Sequence, residues 1–428
     1  MAEQRVGVVV HGITGRMGGV AHRALRELAA RGGVPVGRDV VIPVPIGLGR
    51  DAARLAAYAR RTGLGDVHTC LASAYQRARD INPRFQVYHN TVATGARGAT
   101  LLGALRELDP ATTGVFCEKP IGANYREGRE VVEALERGGF AHGVVHDALQ
   151  TPGFRAAAEL MPALEPLHCQ MLFGYEVGDG RSADPGYRGQ RPDFNWRLAE
   201  AGGGIALDMC HEAYISHALF GATERLSAVA RLLVPERISA ETGAAIHCDV
   251  EDFLALRREH ASGVVNTSVW TWCRRINSEF GPLEITVEGR RGSVIFGLRG
   301  AKVQWAEAAP ALRWEDLLEG RQADWRAHWE YLKTEDCNAF AVELASFIRC
   351  LVQGEPYPYD ATRALDWLGE VEAIYQSAAR HGTPISRDQF LRYPDHVPPG
   401  WRPERLEGLL GARRARAPAE APSASGRG

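Results

Sequence analysis

Lysine is scarce in this chain. Only three of its fifty basic residues are lysine, Lys119, Lys302 and Lys333, and all the others are arginine. The composition takes guanidinium wherever any cation will serve, so a lysine kept against that bias is a candidate for chemistry arginine cannot do. Arginine does not release its proton in a protein, whereas a desolvated lysine can pass one. Other scarcities narrow the class. No stretch approaches the ~18 apolar residues of a membrane span, and Met1 to Arg5 shows no signal-peptide pattern. The expected location is cytoplasmic, with no membrane partner. Formal net charge is only −2, which leaves no basic field to attract nucleic acid. The eight cysteines form no CxxC and no zinc-finger spacing with histidine, so reduced thiols and no metal site are expected. Cys117 is either a plain strand residue or a sensor of the charges beside it.

What is present is an ordinary globular composition, 45% hydrophobic and 24% charged over 428 residues, enough for two domains with cores of their own. Residues 1–148 alternate apolar strand runs (6–10, 40–46, 85–91, 113–117, 143–146) with helical stretches (19–30, 52–61, 101–108, 126–137). That alternation predicts a doubly wound parallel sheet of the Rossmann kind. After residue 165 long strands succeed one another (226–234, 252–258, 263–273, 283–288, 293–296). They predict an α+β domain over 149–410 with a large, mostly antiparallel sheet. Helical periodicity over 208–220, 337–352 and 362–380 places helices on one face of it. Trp270 and Trp272, two apart on one strand, share a sheet face that is either core or a subunit contact. The tail 411–428 holds no core-forming residues and is expected to be disordered.

Gly12-Ile13-Thr14-Gly15-Arg16-Met17-Gly18 follows the first strand and opens the first helix. Its spacing is a variant of the dinucleotide fingerprint, in which glycine lets the backbone approach a pyrophosphate seated on a helix N-terminus. Ile13, Thr14, Arg16 and Met17 are candidate cofactor contacts with Gly12 and Gly15, as are Thr91 and Glu118. At the end of the second strand Arg50 precedes Asp51. An arginine there accommodates a 2′-phosphate, so NADP is favoured over NAD, with Asp51 left as a ribose ligand or merely a helix cap.

Lys119, in Glu118-Lys119-Pro120, ends the fifth strand, at the sheet edge where ligands bind. Asp208 and His211 follow the glycine triplet 202–204 and, three apart, would share one helix face. A lysine, an aspartate and a histidine suit hydride transfer at a carbinol carbon, with one group taking the hydroxyl proton. The bland reading is an aspartate cap and a core histidine. Tyr175, Trp196 and Arg197 lie in a glycine-rich segment with Asp184, Tyr187 and Arg188. With His146 and Asp147 they are the candidate substrate contacts, because polyols are held by hydrogen-bonding side chains and aromatic faces.

Together these residues resemble the Gfo/Idh/MocA family, the glucose–fructose oxidoreductase and inositol dehydrogenase group. Glu118-Lys119-Pro120, the glycine loop, the glycine triplet with Asp208 and His211, and the two-domain layout carry the likeness. Segments 142–147 and 190–197 are similar to one branch. The resemblance implies NAD(P)-dependent oxidation or reduction of a hydroxyl on a sugar, cyclitol or related polyol. Lys119, Asp208 and His211 would be the catalytic trio, in a homodimer or homotetramer assembled through the C-terminal sheet. Two departures stand out. The family commonly separates the aspartate and histidine by four residues rather than three, and Ala148 replaces a lysine frequent in the branch. Redox-neutral epimerisation or elimination on a retained cofactor remains open. So do a dihydrodipicolinate reductase-like enzyme, suggested by the loop 12–18, and a nicotinamide-binding sensor without turnover.

Overall fold

A computed structural model describes residues 3–175, 191–239, 242–274, 278–308, 314–320 and 327–392. Asp184, Tyr187, Arg188 and the tail 411–428 lie outside them. Strand β1 (Glu3–His11) leads into helix α1 (Arg16–Ala30). Ala21, Ala24, Leu25 and Leu28, spaced three and four apart, bury one stripe of α1. The chain continues through β2 (Val34–Val36), β3 (Asp39–Leu48), α2 (Ala52–Thr62), β4 (Val67–His68), α3 (Leu71–Ile81) and β5 (Gln86–Asn90). It then forms α4 (Thr94–Ala104), β6 (Thr113–Cys117), α5 (Tyr125–Gly138) and β7 (Ala141–Val144). These strands make one sheet in the order β2-β3-β1-β5-β6-β7, with β4 also on β3. Every pairing is parallel except β2 with β3. β1 shows why helices cover both faces. Val6, Val8 and Val10 pack with α1, while Val9 packs with Ala74 and Ala78 of α3. The order reverses between β1 and β5, the place where doubly wound sheets open a ligand crevice.

The second half runs α6 (Pro152–Leu164), β8 (Pro166–Gly174), α7 (Leu198–Ala201), α8 (Ile205–Asp208), α9 (His211–Phe220), β9 (Thr223–Arg231), β10 (Glu236–Ile238) and β11 (Ala245–His247). It continues with β12 (Phe253–His260), β13 (Val265–Thr271), β14 (Leu283–Gly289), β15 (Gly292–Phe296), β16 (Ala301–Trp305), α10 (Trp314–Leu318) and β17 (Glu330–Tyr331). It closes with α11 (Ala339–Gln353), α12 (Ala361–Ala379), β18 (Ile385–Ser386) and α13 (Arg387–Arg392). Nine strands form a sheet in the order β17-β16-β15-β14-β8-β13-β12-β9-β18. Only the β8–β13 pair is parallel. The fold is therefore α/β, with a parallel N-terminal sheet and a mostly antiparallel C-terminal one.

Three expectations are corrected. Helix α11 does not cover the second sheet; Leu344, Phe347 and Ile348 pack against the first, with the Phe347 ring 4.8 Å from Phe116. Trp270 and Trp272 are both core. Trp270 stacks on Phe173 at 4.6 Å and Trp272 meets Trp196 edge-on at 5.1 Å, so neither supports a subunit contact. Cys117 is buried and its thiol is pushed up to about 12 by burial, the behaviour of a plain strand residue. No helix among the described residues is long and apolar enough to cross a membrane.

Candidate active site

The glycine loop is shaped by its own backbone. Gly12 has φ +89, a conformation that L side chains rarely adopt. A Cβ on Gly18 would stand 2.3 Å from the Gly12 carbonyl oxygen, so α1 can start this close to the turn only with glycine there. Gly15 is the N-cap of α1 and no side chain caps the helix. A glycine at that position offers no side-chain cap, so an anion fits at the helix start. The residues present therefore suit a dinucleotide pyrophosphate. Gly15, Arg16, Met17 and Thr91 line a cleft of about 280 Å³ beside the ends of β1 and β5. Thr91 is fixed by its hydroxyl, which donates to the His11 carbonyl at 2.7 Å. Gly12, Ile13 and Thr14 do not line the cleft. The Ile13 side chain is fully buried, and the Gly12 and Ile13 amides donate to the Leu48 carbonyl at 2.9 and 3.3 Å. Gly12 and Ile13 thus shape the loop through their backbone. Arg50 is exposed just beyond β3 and also lies off this cleft. Asp51 is a helix cap, its carboxylate accepting the Arg54 amide at 3.0 Å.

Lys119 follows β6, with a cis peptide to Pro120. Arg97 of α4 braces this turn from below. It is buried, and donates from Nη1 to the Pro120 carbonyl at 2.6 Å and from Nε to the Val92 carbonyl at 3.1 Å. From the other half of the molecule, the glycine triplet brings Asp208 into place. A Cβ on Gly203 would stand 2.4 Å from the Tyr375 hydroxyl, and one on Gly204 would stand 2.0 Å from the Glu251 carbonyl oxygen. The buried Glu251 carboxylate accepts the Gly204 amide at 3.1 Å, the Ala206 amide at 3.0 Å and the Tyr375 hydroxyl at 2.7 Å. These contacts anchor the start of α8, whose last residue is Asp208.

Asp208 and His211 are not on one helix, contrary to the sequence reading. α8 ends at Asp208, Met209 and Cys210 turn the chain, and α9 begins at His211. Both side chains still line the cleft with Lys119. Lys119 Nζ donates to the Asp208 carbonyl at 2.5 Å and stands 3.7 Å from Asp208 Oδ1. The other carboxylate oxygen, Oδ2, pairs with Arg191. Burial alone would raise the Asp208 carboxyl, but Arg191 and then Lys119 outweigh it and hold the group well below the usual carboxylate range. His211 faces a different acid: its Nδ1 lies 3.6 Å from Asp147 Oδ1. Burial, then the Lys119 charge, keeps the imidazole neutral, well below its ordinary value. Burial pushes Asp147 up to about 6 and Glu118, also on the cleft wall, up to about 7.

The remaining substrate candidates separate. Asp147 lines the cleft. His146, its neighbour, is fully buried, its ring 4.2 Å from Trp367 and stacked on Tyr359 at 5.1 Å. Trp196 is buried against Trp272 and beneath the Arg237 guanidinium. Arg197 is exposed and pairs with Glu200 at 3.1 Å. None of these three faces the cleft. Tyr175 reaches the site at one remove, its hydroxyl accepting from Arg191 at 2.7 Å. Arg191 is the residue that the sequence reading passed over. Its guanidinium lies 4.3 Å from the Trp272 ring and lines the cleft beside Asn195, Phe194 and Arg97.

Residues 170–295 match the GFO/IDH/MocA C-terminal domain. D-xylose dehydrogenase of Paenarthrobacter nicotinovorans is 27% identical over 371 residues, covering 83% of this chain and 90% of that protein. Among solved structures, levoglucosan dehydrogenase in complex with NADH superposes with a TM-score of 0.71 at 18% identity, over 90% of this chain and 100% of that one. An NAD binding oxidoreductase from Klebsiella pneumoniae gives 0.69 at 15% identity, over 89% and 99%. Residues 170–295 thus carry a Gfo/Idh/MocA-type C-terminal domain, and the fold of these oxidoreductases runs through nine-tenths of the chain.

Proposed function

We propose that the protein is a nicotinamide-dependent oxidoreductase acting on a secondary hydroxyl or ketone of a sugar, cyclitol or related polyol. The observation that carries this reading is convergence. A lysine from the end of β6 and an aspartate and histidine from the second half line the same cleft as the glycine loop at α1. The relatives named for D-xylose and levoglucosan support a sugar-like substrate. A nicotinamide dinucleotide, when bound, supplies the hydride acceptor or donor. The start of α1 and the side chains of Arg16 and Thr91 would hold it, all of them on the cleft wall with Glu118. Lys119, Asp208 and His211 handle the proton of the reacting hydroxyl. Lys119 is positioned by Asp208, and Asp208 by Arg191.

NADP is the better fit at the end of β3. Arg50 is exposed there, Arg54 is one turn further on, and the adjacent acid, Asp51, is committed to capping α2. A homodimer or homotetramer through the outer face of the second sheet belongs to the same proposal. Val229 stands 38% exposed on that face, beside a groove of about 350 Å³ also lined by Leu172, Ala255 and Val269. The test is a panel of aldoses, anhydrosugars and cyclitols with NAD⁺ or NADP⁺, followed by the near-ultraviolet band of the reduced nicotinamide. Reduction with at least one polyol supports the reading. Cofactor binding without reduction across the panel supports a sensor instead.

A further inference from the structure

Asp147 follows the last strand of the first sheet, His211 precedes the second sheet's β9, and the two meet at the cleft. Asp147 opens a short 3-10 turn just after β7, and His211 opens α9. His211 Nδ1 and Asp147 Oδ1 are both buried, and neither has a hydrogen-bond partner among the described residues. They stand 3.6 Å apart, so a shift of a few tenths of an ångström makes the bond, and each is the atom the other needs. Asp208 is already engaged. Its Oδ2 pairs with Arg191, and Lys119 lies near Oδ1. The three-residue step from Asp208 to His211, with the chain turning at Met209 and Cys210, puts the two side chains on separate helices.

We propose that Asp147 is the positioning carboxylate of His211: it accepts the Nδ1 proton and so presents a bare Nε2 to the substrate hydroxyl, while Asp208 serves Lys119 and Arg191. This rests on the oxidoreductase reading above. In the oxidative direction the O–H bond of the substrate breaks and its proton moves to His211 Nε2. The freed electron pair forms the carbonyl, and the carbinol hydride is taken by the oxidised nicotinamide. The hydrogen bond made by one imidazole nitrogen fixes the tautomer and hence the role of the other. A base fixed in this way contributes on the order of 10² to 10⁴ in rate.

The charged surroundings agree. Lys119, Asp208, Arg191 and His146 act on His211, and burial with Lys119 keeps the ring neutral. Lys119 acts on Asp147, while Glu118 and Glu343 are carboxyl neighbours of it. Burial raises Asp147 to about 6, so the carboxylate is available to His211 above that pH and lost below it.

The decisive measurement is nitrogen-15 NMR of histidine-labelled full-length protein, with the His211 signal assigned through His211→Asn. The proposal expects the Nδ1-protonated tautomer at neutral pH. An Nε2-protonated ring, or an imidazolium, would overturn it. In parallel, Asp147→Leu should lower kcat about 100-fold, leave KM for the polyol and cofactor affinity little changed, and mix the tautomers of His211. It should also remove a low-pH limb near about 6 from the kcat profile. An Asp147→Leu protein that keeps the native kcat and limb would equally overturn the proposal. If that variant does not fold, the NMR result on the native protein decides. A native protein that oxidises no polyol sinks the oxidoreductase reading alone, because the tautomer still reports whether the pair exists.

Discussion

Asp208 holds Lys119 twice, through its backbone carbonyl at 2.5 Å and a carboxylate oxygen at 3.7 Å. One residue of the second half thus fixes the height of the amine at the rim of the first sheet. Replacing Lys119 removes both the amine and the partner of Asp208. Lys119→Ala should lower kcat/KM by about 10² to 10⁴ while cofactor binding, measured by fluorescence titration, is retained. Lys119→Arg should not restore activity, because a planar guanidinium cannot take the compact ammonium's place against the Asp208 carbonyl.

Arg191 is the second support. It is 8% exposed and its guanidinium pairs with Asp208 Oδ2. Arg191→Met leaves that carboxylate buried without its main cation, and breaking such a pair costs about 3–5 kcal/mol. Urea unfolding should show a loss of that order, with a drop in activity exceeding that of any exposed arginine variant such as Arg197→Met.

Gly18→Ala tests the cofactor cradle. The added Cβ would stand 2.3 Å from the Gly12 oxygen and 2.6 Å from Ile13 Cα, both backbone atoms that cannot swing aside. Strain of about 1–3 kcal/mol corresponds to roughly a tenfold or greater rise in cofactor Kd. Arg50→Ala should weaken NADP by about tenfold while leaving NAD nearly unchanged, because a lost charge-assisted bond to the 2′-phosphate is worth about 1.5–3 kcal/mol.

The motifs legible in the sequence were those whose chemistry is local. The glycine loop and Lys119 each declare themselves within a few residues. What the chain could not reveal was which way a side chain faces once packed. His146 and Trp196 read as polyol contacts by residue type, yet each is sealed by rings from distant segments, Trp367 and Tyr359 in one case and Trp272 in the other. Arg191 was hidden among neighbouring arginines, and only Asp208 and Tyr175 single it out. Helices α3 and α6 and the central strand β8 went unread. β8 draws its hydrogen bonds from β13 and β14, roughly a hundred residues later, and no local pattern encodes that pairing.

Stability against pH follows from opposed buried groups. Burial lowers His11 and His260 to about 4, and His89 and His146 to about 3, from 6.5. Below about pH 6.5 the unfolded chain takes protons that the native one refuses, so stability falls with pH. Burial raises Glu118 and Glu251 to about 7 from 4.5. The native state then binds the extra protons, and stability grows as pH falls through that window and levels off below about 4.5. The two effects oppose one another between about 4.5 and 6.5. Below that, Glu370 adds a loss. Burial favours its neutral form, but His217 and Arg258 hold it down to about 2, from 4.5. Urea midpoints should therefore fall as pH drops from about 6.5 to 4.5, where four histidines outweigh two carboxyls, and fall more steeply below that.

The most direct test compares the native protein and Lys119→Ala, each loaded with NADP⁺ or NAD⁺ and mixed with the polyol panel, by the growth of the reduced-nicotinamide band. Growth with at least one polyol in the native protein, and none in a variant that still binds the cofactor, is the predicted result. A native protein that binds cofactor but reduces it with no polyol, or a variant that reduces it at the native rate, would contradict it.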